Sequence, residues 1–302
     1  VLQTLIQVAL LVALPPLLRG IINKTKAAFA GRVGPPLLQP YYDLIKLLRK
    51  DSVFSDITTW VFRAGPVVAA ATPLVAGTLI PFGSAAPLIS FSGDLVLFAY
   101  LFALSRFFTV LAALDTGSPF EGMGAAREAT FSCLAEPALF LGLLALVRAS
   151  GSLSLATMLG AGLGATWTTS GASLLMVIVS LFIVVLAECS RIPVDDPATH
   201  LELTMIHEVM VLDHSGPALG LIEYGAAAKL FVLGALVTRI AVPYGGANVW
   251  VNWGLLLVGI SALAVVIGVV ESVMARLRLI QVPSLLVAAN LLSGFGIVLL
   301  AR

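Results

Sequence analysis

The chain has 302 residues, 59% of them hydrophobic and 11% charged, with 17 Lys plus Arg against 16 Asp plus Glu. Soluble domains carry about 25% charged residues to coat their surface. The shortage excludes an ordinary soluble enzyme and a disordered chain, and the lack of a basic stripe excludes nucleic acid as a partner. What remains is an all-α polytopic membrane protein. A helix needs about 20 mostly apolar residues to cross the hydrocarbon core. Such runs fall at 1–18, 61–82, 95–114, 131–149, 172–189, 218–240, 253–273 and 281–300, which predicts about eight transmembrane helices in a single integral membrane domain, 1–302. A membrane β-barrel would show short alternating segments instead.

The first run has no basic n-region and no small-residue cleavage site, so it reads as a retained span. The connection after it, 19–60, is long and basic, with Arg19, Lys24, Lys26, Arg32, Lys46, Arg49 and Lys50. Gly31 to Pro36 must turn, because Gly and Pro break regular structure. Gln39 to Lys50 then reads as an amphipathic helix with Leu44, Leu47 and Leu48 on one face. It is either an interfacial helix on anionic lipid heads or a docking surface for a soluble partner. Arg127, Arg191, Arg276 and Arg278 mark the later odd-numbered connections, whereas those near 83–94, 150–171 and 241–252 hold no Lys or Arg. The positive-inside rule therefore puts the odd connections in the cytoplasm and both termini on the other side. Trp167, Trp250 and Trp253 lie near predicted span ends, as in an interfacial aromatic belt.

A charge in mid-span costs about 2.5–3.5 kcal/mol on insertion scales, so it is rarely incidental. Arg106 lies in the third run, and Glu136, followed by Pro137, in the fourth. Glu188 ends the fifth, Glu223 and Lys229 lie in the sixth, and Glu271 is near the end of the seventh. These are either end residues that snorkel or pair, or steps of a proton relay. The connection 188–217 is acidic, with Asp195, Asp196, Glu202, Glu208 and Asp213. His200, His207 and His214 recur every seven residues, which on a helix makes one stripe. Three readings stay open: a solvated polar loop, a metal site if the segment folds back, and a titrating funnel or partner interface. Cys133 and Cys189 are too few for an iron–sulfur cluster or a cysteine zinc site, so they read as inert core thiols and no cofactor is expected in this chain.

Gly31-Arg32-Val33-Gly34-Pro35, then Gln39-Pro40, Asp43 and Lys46-Leu47, resemble the first cytoplasmic loop of subunit 1 of respiratory complex I. Glu188-Cys189-Ser190-Arg191-Ile192-Pro193-Val194-Asp195 is similar to that subunit's Glu-x-x-Arg-x-Pro-Phe-Asp signature, and Glu223-Tyr224 to the Glu-Tyr pair opening its sixth helix. The likeness is nearer still to the membrane anchors of group 4 nickel–iron hydrogenases, the formate hydrogenlyase subunit 4 and hydrogenase-4 component C type. Leu114-Asp115-Thr116-Gly117-Ser118-Pro119-Phe120, Arg106-Phe107-Phe108, Arg127-Glu128 and Met274-Ala275-Arg276 carry it. The chain departs from complex I at Val194, Ala198 and His200, keeping Glu202.

The resemblance implies an eight-helix, complex I subunit 1-like fold in a prokaryotic inner membrane, with spans two to six as its core. It implies partners as well: hydrogenase large and small subunits, an iron–sulfur subunit and antiporter-like membrane subunits. The nickel–iron centre and iron–sulfur clusters would sit in those partners. Arg32, Gln39, Asp43, Lys46, Arg191 and Asp196 would shape the docking loops. Glu136, Glu188, Asp195, Glu202, Glu223 and Lys229 would carry or gate protons. The competing readings are a complex I subunit lining a quinone site and a stand-alone ion transporter, although no inverted repeat supports the latter.

Overall fold

The computed structural model describes residues 1–196, 205–246 and 248–300. Twelve α-helices occur among them, with no strand. Seven are long and apolar enough to span a membrane: α4 (Trp60–Thr78), α5 (Asp94–Asp115), α6 (Pro119–Ser150), α8 (Gly162–Glu188), α10 (Gly216–Ala241), α11 (Val249–Val273) and the segment Leu279–Leu300, whose α-helical part is α12 (Val282–Leu300). An eighth is made by α1 (Leu2–Ala13) and α2 (Pro15–Phe29), bent by 51° where they join. Short helices α3 (Gln39–Leu48), α7 (Leu155–Met158) and α9 (His207–Met210) lie in the connections. The chain is thus an all-helical, multi-span membrane protein.

The first span departs from the expected 1–18. It runs on to Phe29, so Arg19, Lys24 and Lys26 belong to α2 rather than to a loop. The bend has a clear cause. Pro15 and Pro16 lack backbone donors, and Leu17 N–H turns back to Leu14 O. The carbonyls of Val12 and Ala13 lose their helical partners. Tyr224 donates its hydroxyl to Val12 O at 2.9 Å, and Tyr41 donates to Ala13 O. A broken span is tolerated in hydrocarbon when side chains satisfy the freed groups in this way.

Two other starts also move. α6 begins at Pro119, well before the apolar run at 131, because Glu121 to Glu128 continue the helix above the hydrophobic stretch. α8 begins at Gly162 but breaks at Ser170, where φ is −138° and ψ 38°, so the start expected at 172 falls just after that break.

α10 is the central helix, with 72% of its hydrophobic window buried against 28–50% for the other spans. It packs on α4, α8, α2 and α11. At its crossing with α4, a Cβ on Gly225 would lie 2.3 Å from Ala69 O, so only glycine allows this approach. α5 and α6 complete a ring with α4, α8 and α10, the five spans expected to form the core. α12 seals the gap between α6 and α8. There Ser293 donates to Ser180 at 2.7 Å, Ser180 to Ala289 O at 2.7 Å, and Asn290 to Leu134 O at 2.9 Å.

The connections sort into two ends. At the basic end, Thr59 N–H donates to Asp115 at 2.7 Å, Val53 N–H to Ser215 at 3.0 Å, and Leu277 N–H to Pro193 O at 2.9 Å. At the bare end, buried Asp94 accepts from Leu155 N–H at 2.7 Å and Ser154 at 3.1 Å, pinning α7 to the start of α5. Trp253, expected at an interface, is buried under the turn at Gly83, while Trp250 is exposed. Cys133 is exposed rather than a core thiol.

Removing either hydroxyl at the bend strands a carbonyl. Tyr41→Phe and Tyr224→Phe are each expected to cost about 1 kcal/mol, the scale of interhelical hydrogen bonds in membranes. Thermal unfolding in detergent checks this, with exposed Tyr42→Phe as the unchanged control.

Candidate functional site

Arg106, nine residues from the end of α5, is the hub of a buried ion network. It donates Nε–H to Glu128 at 3.1 Å, and its two terminal nitrogens go to Glu136 and Glu188. Glu128 and Glu136 stand eight residues apart on α6, so they share a face. Glu188 closes α8 and is paired from its other side by Lys229 of α10 at 2.6 Å. Four helices therefore converge on five charges. Losing one partner of a buried pair costs about 3–5 kcal/mol, so the network also holds the ring together.

A cavity of about 50 Å³ opens beside these charges, lined by Arg106, Glu128, Glu188, Lys229, Ser190 and His207 among others. A water needs about 10–15 Å³ on this measure, so it takes a short water file. A second void, about 20 Å³, continues past Glu188 and Ser190 to Asp195 and Ile206. Asp195 is buried, pairs with Arg276 at 2.9 Å, and accepts the N–H groups of Ile206 and His207, each at 3.1 Å. It thereby ties the start of α9 back to the chain just after α8, beside these voids. Asp196 N–H donates to the same carboxylate at 2.9 Å.

The remaining residues expected at the site separate from this cluster. Glu223 pairs with Arg19 of α2 and lines another cavity of about 250 Å³ with Asp43. α10 carries both: Ile222, Gly225, Ala226 and Lys229 face the first cavity, and Leu219, Glu223 and Ala227 the second. Arg191 is buried against Glu271 at 3.4 Å, and Lys26 joins that carboxylate at 2.8 Å. Gln39 donates to Asp43 at 2.9 Å within α3, while Arg32 and Lys46 are exposed at the basic end. Glu202 and His200 lie outside the described residues. His207 starts α9 and His214 sits in a turn, so these two do not form one helical stripe.

Arg19, Lys26 and Glu128 are partners that the sequence does not single out. The first two look like loop cations, and the third lies beyond the apolar run. The eight-residue spacing of Glu128 and Glu136 is the available signal.

Glu208 sits near His207, Glu223 and Arg19, and burial raises its carboxyl above the ordinary value. His214 is buried and stacked on Phe62, ring centroids 3.9 Å apart. Burial pulls its imidazole down to about 4.

The fold and the buried ion pairs define a helical, multi-span membrane protein with a charged interior. The NADH dehydrogenase family matches residues 2–301, and the chain belongs to it. It is 34% identical to formate hydrogenlyase subunit 4 of Escherichia coli (strain K12), over 100% of this chain and 97% of that protein. Hydrogenase-4 component C of the same organism is also 34% identical, over 82% of this chain and 77% of its own length. An NADH-quinone oxidoreductase subunit of Rubrobacter xylanophilus is 29% identical over 69% of this chain and 63% of its own. A chain in the structure of an archaeal membrane-bound sulfane sulfur reductase superposes with a TM-score of 0.82, 21% identity, and coverage of 99% and 98%, a likeness of fold.

His214 gives a prediction with a definite sign. Its folded pKa, about 4, lies below the ordinary 6.5, so the unfolded chain binds the extra proton. Stability from this site is complete above about pH 6.5 and is lost as pH falls toward 4, by up to about 3 kcal/mol. His214→Phe is expected to remove that acid sensitivity, read by hydrogen exchange of residues 207–216 between pH 7 and 4.

Proposed function

We propose that this chain is the membrane anchor and coupling subunit of a group 4 nickel–iron hydrogenase or formate hydrogenlyase-type complex. It docks a soluble redox arm at its basic end and links electron transfer there to proton or other ion movement through the ring. The arm's large and small subunits and an iron–sulfur subunit hold the nickel–iron centre and the clusters. Antiporter-like subunits lie alongside in the bilayer. The full-length similarity to formate hydrogenlyase subunit 4 supports this choice of complex. The concentration of Arg and Lys at one end supports turning that end to the cytoplasm.

The observation that carries the coupling role is Glu188, held between Arg106 and Lys229 on the wall of the cavity that also reaches His207. A carboxylate holds its proton more tightly when a neighbouring cation withdraws and less tightly when it returns. Lys229 has a long flexible stem and, among the described residues, a single acidic partner, so it is the mobile member. Asp195 holds His207, which lines the cavity, to the acidic connection's first turn. A redox-linked displacement of that connection would open or close the water file and shift Lys229. Exposed Arg32 and Lys46, with Gln39 and Asp43, then serve the docking face, and Arg191 and Asp196 hold the connection in register.

Glu188→Gln in the assembled complex, reconstituted in vesicles, is expected to reduce proton movement per hydrogen formed at least tenfold. Lys229→Arg keeps the cation and is expected to retain part of it. Undiminished proton movement in an assembled Glu188→Gln complex removes Glu188 from the path.

A further inference from the structure

Among the described residues, the network around Arg106 is one positive charge short. Arg106 and Lys229 face the three carboxylates of Glu128, Glu136 and Glu188. Arg106 is divided among all three, while Lys229 serves Glu188. The least protected carboxylate is Glu136, whose side chain is 40% exposed against 17% for Glu128 and 2% for Glu188. Its open side faces outward from the ring, at the edge of a groove of about 580 Å³ between α5 and α6. Leu97, Tyr100, Leu104 and Phe107, all exposed, form the α5 wall, and Ser132 and Glu136 stand on α6. The α5 stripe spans ten residues, about 15 Å or three helical turns. Apolar residues on such a face need no explanation in a bilayer. A half-exposed carboxylate does, because hydrocarbon offers it neither water nor a counter-charge.

The geometry points to a transmembrane helix of a neighbouring subunit, bearing a lysine or arginine, seated between α5 and α6 with its cation on Glu136. That one charge neutralises the network and covers its open side. Other occupants fit less well. Glu136 lies fourteen residues from the bare end of α6, about 21 Å, which leaves it about 9 Å inside the basic-end boundary of a core about 30 Å thick, so a lipid headgroup cation would have to be drawn that far into hydrocarbon to reach it. A second copy meeting face to face would bring Glu136 against Glu136. The inference rests on the chain working inside a multi-subunit membrane complex. It does not depend on proton transfer through the ring.

The test places a photo-reactive benzoylphenylalanine at Phe107 in the intact complex, with Glu136 untouched. The expected cross-link goes to a different integral subunit, in a membrane segment with a Lys or Arg within one helical turn of the labelled site. A cross-link to lipid alone, to a second copy of this chain, or to a segment without such a cation overturns the proposal. In parallel, Glu136→Lys is expected to lower co-purification of that subunit at least tenfold, and changing the partner's cation to Glu is expected to restore it. Full retention in Glu136→Lys overturns it too. If that variant does not fold, the cross-link alone decides. Neither readout measures proton movement, so its failure is separate from failure of the coupling role.

Discussion

One guanidinium organises this molecule. Arg106 reaches three carboxylates on two helices, and through Glu188 it is tied to a fourth helix at Lys229. In hydrocarbon the cost of an unpaired charge is high enough to dictate how helices are placed around it. α5, α6, α8 and α10 are arranged so that no member of this group stands alone, and the close approach of α10 to α4 at Gly225 fits the ring around them. The same interaction leaves polar surfaces pointing at each other across small voids, which is why a water-sized cavity persists inside a bundle otherwise packed with leucine, valine and alanine.

α10 divides the interior by its two faces. One presents Lys229 to Glu188 and the cavity under the acidic connection. The other presents Glu223 to Arg19 and the wider cavity beside α3. Residues that looked like one acidic series along the chain are therefore in two chambers, separated by a helix. Glu208 has among its charged neighbours His207, which lines the first cavity, and Glu223 and Arg19, which line the second. Asp195 holds its end of the connection to Arg276 as well as to the start of α9.

The spans were legible because continuous apolar runs leave little choice in a bilayer, and the five core helices appear where the runs predicted them. Helix ends were less legible. The extension of α6 down to Pro119 is built from Glu121, Arg127 and Glu128, residues whose polarity resembles a loop until the partners are known. Arg127 reaches Met205 O at 2.8 Å, a contact no local pattern encodes. Intramembrane charges could be found by their cost, so Arg106, Glu136, Glu188, Glu223 and Lys229 stood out. Their pairing could not, because Arg19 meets Glu223 across 204 residues and Lys26 meets Glu271 from a stretch that looked like a cytoplasmic loop. A seven-residue histidine repeat suggested a helical stripe that the short α9 and the turn at His214 do not form.

The bend in the first span has a consequence in time. The carbonyl of Val12 is set free by Pro16, yet the hydroxyl that donates to it belongs to Tyr224, 212 residues later. At about 5–20 residues per second, a ribosome needs roughly 10–40 s to deliver that tyrosine. Over that interval the nascent first span sits in the bilayer, or at the insertion machinery, with an open acceptor. Pro15 and Pro16 set its bend, but this freed acceptor is satisfied only when α10 arrives. The bent span is in this sense among the last to be finished, and the central helix closes the fold at both its charged faces and this distant bend.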